Sequence, residues 1–386
     1  MDRGEKRWLG ARIALVYGAL FFGIGVSLPF LPVWLKARGL SVEQIALVLA
    51  VQSGLRVVAA PLMSHLAERL GRLRPVMAGS AVVALAGLFW LAGARGVVSI
   101  VLGVAVAYGA FAPLMPMTEA YAVSAGRRHG LDYGRMRLWG SLAFMAGNMV
   151  AGAVLDVLAA GRLIWLIVAA QAALVFALTL LPPREQTADE HARQKATAGQ
   201  GLALASGAFI TFVLAVGLVH GSHALVYGFS ALHWKKLGYP GAVVGMLWAT
   251  GVLAEVVLFW FSARVMVRLG ALRLLMLGSA AAALRWAGLS FDPPLAALFV
   301  LQSLHGLSFG ASHLGAIEFI RSRTSPARAA SAQAIYGAVA GGVFLTGAMW
   351  ASGRLYRAFA ADAWWFMALM AVAALALAAA LRRRGV

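Results

Sequence analysis

The chain has 386 residues, 62% of them hydrophobic and 12% charged, with a mean hydropathy of +0.82. Soluble domains are about half apolar and about a quarter charged, so an ordinary globular protein is excluded and a chain solvated by lipid is implied. The net charge of +19 lies in short clusters between apolar runs, as topology signals do and nucleic-acid-binding stripes do not, and the lack of Cys excludes disulfides and thiolate metal sites.

Crossing ~30 Å of hydrocarbon at 1.5 Å per residue takes about 20 apolar residues. Twelve runs meet this: 13–35, 42–64, 75–93, 97–120, 138–158, 163–182, 203–227, 242–263, 273–291, 295–319, 330–352 and 363–381. They predict an all-α membrane protein of twelve transmembrane helices. The polar stretch 1–12 precedes a run too long for a secretory signal, so that run is read as the first span. The long polar stretch 183–200 is read as a cytoplasmic linker, dividing the chain into a half at 1–182 and a half at 201–386. With the N-terminus inside, the inner segments hold 23 Lys and Arg and the outer loops 8. The positive-inside rule therefore places both termini in the cytoplasm.

The halves repeat. Arg69-Leu-Gly-Arg-Leu-Arg-Pro-Val-Met-Ala-Gly-Ser-Ala81 matches Arg268-Leu-Gly-Ala-Leu-Arg-Leu-Leu-Met-Leu-Gly-Ser-Ala280 at an offset of 199, and Trp34 and Lys36 pair with Trp234 and Lys236 at 200. Parallel six-helix repeats are the plan of the major facilitator fold, with two pseudo-twofold-related halves.

The stretch Ser64-His-Leu-Ala-Glu68-Arg69-Leu-Gly71-Arg72-Leu-Arg74 resembles that superfamily's signature between helices 2 and 3, Gly-x-Leu-Ala-Asp-Arg-x-Gly-Arg. The resemblance implies a cytoplasmic charge latch of Glu68, Arg69, Gly71 and Arg72; the alternative is a plain positive-inside loop. Over its whole length the chain is similar to the bacterial phenylpropionate (3-phenylpropionic acid) transporter family, relatives of the oligosaccharide–proton symporters. The stretches 131–144, Tyr227 to Trp234, Leu247 to Val257 and Gln302 to His305 carry the likeness. It implies a proton-driven importer of a small aromatic or carboxylated compound in a bacterial inner membrane. Sugar or nucleoside symport, and proton-coupled efflux, stand as alternatives. The fifth span has Gly140, Gly147 and Gly152 but no Pro, which weighs against efflux.

A charge inside a span costs at least ~2.5–3.5 kcal/mol and marks a functional candidate. Arg56 and Glu255 are equivalent at the repeat offset and are expected to face a central cavity; Arg56 is the candidate anchor for a substrate carboxylate, which a guanidinium binds as a fork. Arg285 and His305 are twenty residues apart. Lactose permease relatives have an arginine and a histidine at this spacing in proton coupling, with an acid three residues further on. That position is Ser308 here, so Glu255 is the nearest substitute as proton carrier. Glu119 and Arg137, eighteen apart, and Phe144, seven beyond, match residues that contact substrate in the sugar symporters; a helix-end salt bridge is the alternative. Glu318, the repeat partner of Glu119, is expected to pair structurally with Arg321 or Arg323. His223 and Tyr227 are further substrate candidates. His220 and His223 share a helix face, as do His305 and His313, but no acid lies at ligand spacing, so no metal is expected. Prolines 29, 32, 113 and 116 are expected to permit helix bends. No enzyme motif is found. The expected partners are a small-molecule substrate and membrane lipid, with no nucleic acid, no cofactor beyond protons as the coupling ion, and a monomeric state.

Overall fold

The computed structural model describes residues 2–182, 206–324 and 326–384. The linker read at 183–200 lies outside the described residues. Helices run from Arg3–Ala37 to Ala363–Arg383. Among the described residues, eleven stretches are long and apolar enough to cross a bilayer: Gly4–Ala37, Val42–Ala67, Leu73–Gly93, Gly96–His129, Tyr133–Val157, Ala160–Thr179, Gly207–Lys236, Gly241–Trp260, Ser262–Leu289, Leu295–Arg323 and Ser331–Arg383. The last holds two of the twelve expected spans. Its 53 residues would run about 80 Å as one helix, far beyond the ~30 Å hydrocarbon. Ala360, with φ +48° and ψ −118°, ends the helix Leu345–Phe359 before Ala363–Arg383 begins. The eleventh and twelfth spans therefore meet at this corner.

Several helices outrun their apolar cores. The first begins at Arg3 instead of 13, because Asp2 and Glu5 form a reciprocal capping box that satisfies two otherwise open backbone donors. The fourth continues to His129 and breaks between Phe111 and Leu114, where Pro113 lacks an amide proton. Pro29 and Pro32 lie within one unbroken helix.

The residues form two compact units, Met1–Ala188 with Trp234–Ala249, and Asp189–His233 with Thr250–Val386. In the first, the first span packs mainly on the fifth and sixth. Lipid tails give no hydrophobic drive for this contact, so closeness of approach matters. A Cβ on Gly25 would overlap the Phe144 carbonyl, and one on Gly147 the Phe22 carbonyl; glycine lets these two backbones touch. Asp156, at the end of the fifth span, accepts from the amides of Gly241 at 2.5 Å and Ala242 at 2.8 Å, and Lys235 lies 3.6 Å away. The start of the eighth span is thereby capped by a side chain distant in sequence. In the second unit the ninth span packs on the tenth and twelfth, and the seventh on the eleventh and twelfth.

The sequence repeat persists in the backbone. Gly71 and Gly270, 199 apart, both have positive φ, +63° and +71°, a conformation that costs a residue with a Cβ. That explains the glycine shared by the two matching loops.

Candidate functional site

The second unit holds a polar cluster around Arg285, whose side chain is only 2% exposed. The ninth span carries it toward the tenth. Its Nη2 donates to Gln302 Oε1 at 2.6 Å, and its Nη1 to Ser308 Oγ at 3.2 Å and His305 Nδ1 at 3.0 Å. The guanidinium lies 4.7 Å from the Trp286 ring centre, and Trp286 donates to Ser222 at 2.9 Å. Arginine only donates, so His305 Nδ1 must accept. Neutral His305 then carries its proton on Nε2, which faces Glu255 Oε2 at 3.6 Å. On the other branch, His223 Nδ1 sits 2.9 Å from the Val219 carbonyl and Nε2 sits 3.2 Å from Ser308 Oγ. The carbonyl fixes a proton on Nδ1, so Ser308 donates to Nε2. The hydrogen bonds thus run without conflict from Arg285 through Ser308 to His223.

The backbone explains why these side chains converge. Residues Gly306–Ala311 form a π-helical turn inside the tenth span. Such wide turns are rare and concentrate at functional sites. A Cβ on Gly306 would strike the Ala254 carbonyl, so this glycine lets the eighth span, with Glu255, approach His305. Two further histidines are also tied down: His220 Nε2 is 3.3 Å from Ser312 Oγ, and His313 Nδ1 is 2.7 Å from the Tyr336 hydroxyl. Tyr227 is half-buried, its ring 5.8 Å from that of His223. Among the described residues no group of three or more His, Asp or Glu could hold a metal ion.

The first unit brings Glu119 and Arg137 together, with Arg137 Nε donating to Glu119 Oε1 at 3.1 Å. Glu119 Oε2 accepts from the hydroxyls of Tyr17 at 2.8 Å and Tyr133 at 2.5 Å. The Arg137 guanidinium lies 4.1 Å from the Phe21 ring centre. Phe144 is buried where the fifth span meets the first. Arg56 is exposed on the second span, in this unit, whereas Glu255 belongs to the other.

At the loop between the second and third spans, Arg69 and Arg72 are exposed and the Glu68 side chain lies outside the described ones. The arginine that bridges helices there is Arg74, which donates to the carbonyls of Leu178 at 3.4 Å and Thr179 at 2.6 Å. Glu318 pairs with Arg321 at 2.6 Å, a local bridge of the kind expected.

Sequence reasoning missed Gln302 as a partner of Arg285 and Tyr133 as a partner of Glu119. It also missed His233, which sits 2.6 Å from Asp292 Oδ1 and 2.9 Å from the Tyr356 hydroxyl. Asp292 adopts a positive φ of 46°, a conformation that Asp tolerates better than most residues. A polar residue within a span was the available signal for Gln302. Nothing local signals the others, since their partners are far away in the chain.

Membrane-length apolar helices in two units, with an ionisable network half-buried in the first and buried in the second, are the features of a multi-pass membrane transporter of the major facilitator type. The model of the MFS_1 like family matches residues 11–380, and the chain belongs to that family. It is 32% identical over 378 residues, covering 97% of each chain, to the "Probable 3-phenylpropionic acid transporter" of Escherichia coli strain K12. It is 26% identical over 332 residues to the maltose permease of Geobacillus stearothermophilus, covering 85% of this chain and 83% of that one. The crystal structure of the nucleoside transporter NupG superposes with a TM-score of 0.79 at 18% identity, covering 97% of this chain and 98% of that one.

Proposed function

We propose that the protein is a proton-coupled importer of a small aromatic acid such as 3-phenylpropionate, working by alternating access in the bacterial inner membrane with both termini cytoplasmic. The observation that carries the coupling is the chain Glu255–His305–Arg285. A buried arginine held by three neutral acceptors is a charge without local compensation, and a buried charge is costly unless paired. The acid beside the cluster is Glu255, reached through His305.

In this reading the proton is carried on Glu255, whose ionised form faces the protonated Nε2 of neutral His305. Ionised Glu255 balances the Arg285 cation. Once Glu255 takes a proton, the cluster has one positive charge in excess, which favours an anionic substrate. By linkage, bound anion then favours the proton equally. Within the first unit, Arg56 would anchor the carboxylate, and Arg137 with Glu119 and Phe144 would contact the rest of the substrate. His223 and Tyr227 are substrate-contact candidates in the second.

The likeness to the 3-phenylpropionic acid transporter supports the aromatic acid. The maltose permease likeness, together with a carboxylate whose neighbours are two phenol hydroxyls, favours a sugar as the second reading. The test is uptake of radiolabelled 3-phenylpropionate into proteoliposomes with and without an inward proton gradient, for wild type and Glu255→Gln. The expected result is gradient-driven accumulation that Glu255→Gln abolishes while counterflow exchange survives. Uptake of maltose and not of the acid would replace the substrate; accumulation by Glu255→Gln equal to wild type would overturn its role.

A further inference from the structure

A groove of about 690 Å³ lies in the second unit, along the eighth, ninth and tenth spans. Val257, Leu258, Phe261 and Leu307 line its apolar wall, and Arg264 and Arg268 contribute its cations. The arginines stand four residues apart, on one helix face. They follow directly on the eighth span, which ends at Trp260. Both are exposed, and among the described residues neither makes an ion pair.

The surroundings say what the groove faces. Trp260 is 82% exposed and Val267 88%, and Leu253 and Val257 are exposed on the same stretch. A run of bare apolar side chains next to an exposed Trp at a helix end marks a surface that meets lipid, with the Trp at headgroup level. The lining residues extend from Ala254 to Arg268, about 20 Å at 1.5 Å per residue, more than the ~15 Å of one leaflet's hydrocarbon. A soluble anion would satisfy the arginines and leave this wall uncovered. A zwitterionic lipid would cover the wall and leave the arginines without net opposite charge.

We propose that this groove binds an anionic phospholipid, with its phosphate on Arg264 and Arg268 and an acyl chain along Val257, Leu258 and Leu307. Basic pockets between membrane helices recognise headgroups of this kind. On the orientation proposed above, the lipid comes from the cytoplasmic leaflet. The groove's back wall includes Ser303 and Gly306, which flank His305, so the lipid packs against the turn that carries the coupling histidine. The site itself depends on neither the substrate nor the coupling reading.

Native mass spectrometry of the delipidated full-length protein in neutral detergent tests this, titrating phosphatidylglycerol, phosphatidylcholine or glycerol 1-phosphate. Wild type is compared with Arg264→Gln/Arg268→Gln, and with Arg382→Gln/Arg383→Gln as a control far along the chain. The expected result is phosphatidylglycerol binding about 30-fold weaker in the first double variant, about 2 kcal/mol for two arginines, and unchanged in the control. Phosphatidylcholine binding should be the same in all three. Equal phosphatidylglycerol binding by wild type and the first variant would overturn the proposal, as would glycerol 1-phosphate binding as tightly as the lipid. Matching thermal melts for the three proteins ensure that folded material is compared.

Discussion

Arg285→Lys keeps the charge and removes the fork. Arginine spreads its donors over two terminal nitrogens, one serving Gln302 and the other Ser308 and His305. A lysine has one ammonium on a flexible stem and cannot stand in both places. Losing the Gln302 branch removes a charge-assisted hydrogen bond worth about 1.5–3 kcal/mol and leaves a buried amide oxygen short of its donor at about 1–3 kcal/mol. These contributions overlap, so about 3 kcal/mol is a fair expectation. That corresponds to a shift of roughly 150-fold in the equilibrium between arrangements of the cluster. At the per-residue unfolding entropy of globular domains it lowers the melting temperature by roughly 4 °C. The assay is gradient-driven uptake in proteoliposomes alongside a thermal melt in detergent. The variant should fold, melt slightly lower and fail to accumulate substrate. Accumulation and melting equal to wild type would show that a positive charge alone suffices and refute the argument from geometry.

Three further outcomes are expected. Gly25→Ala should destabilise by about 1–3 kcal/mol, because its Cβ would overlap the Phe144 backbone and neither helix can yield without the other; Gly18→Ala, whose Cβ meets nothing within 4 Å, should be neutral or stabilising by up to about 1 kcal/mol, as scanning fluorimetry will read. Glu119→Gln removes the ion pair with Arg137 and a charged acceptor from Tyr17 and Tyr133; initial-rate uptake should show KM raised on the order of tenfold, about 1.4 kcal/mol, and an unchanged KM would remove this pair from substrate contact. Asp292→Asn keeps the side chain's shape at a positive φ that Asn also tolerates, so it isolates the charge facing His233; the half-open setting of Asp292 limits the loss to about 1 kcal/mol, seen as a small fall in melting temperature with transport otherwise intact.

The helices were legible because the bilayer imposes length and apolarity together, and no tertiary contact is needed to see either. Their ends were not. The first helix gains ten residues from a cap made by Asp2 and Glu5, and the corner at Ala360 hides within an otherwise apolar run. Among the site residues, Glu119 with Arg137 and Arg285 with His305 were found from spacings shared with a resembling family. Those spacings put the partners on adjacent antiparallel helices. Ser308 reaches the Arg285 site from within a π-turn, and Gln302 from the regular helix before it; local sequence does not announce a π-turn. Tyr17 and Tyr133 meet at Glu119 from two different helices. His233, Asp292 and Tyr356 join three segments, and no pairwise spacing reveals a three-way contact.

The repeat sharpens what the two networks mean. At the offset of 199, the positions matching Arg285, Gln302, His305 and Ser308 are Ala86, Gly103, Val106 and Gly109. The first half therefore holds none of the second half's cluster, although both halves keep the left-handed glycines of the shared loop. In the other direction, Arg137 corresponds to Tyr336 and Glu119 to Glu318. Glu318 has turned to its neighbour Arg321 instead of to another helix. Scaffold requirements act on both halves alike and preserve backbone features such as Gly71 and Gly270. Chemical requirements need not, because a site for one ligand need be built only once. The first half has built an acid met by three donors, one of them the cation Arg137, and the second an arginine met by neutral acceptors with its Nε left without a partner. That difference between the two networks is the physical ground for proposing that the halves have different tasks.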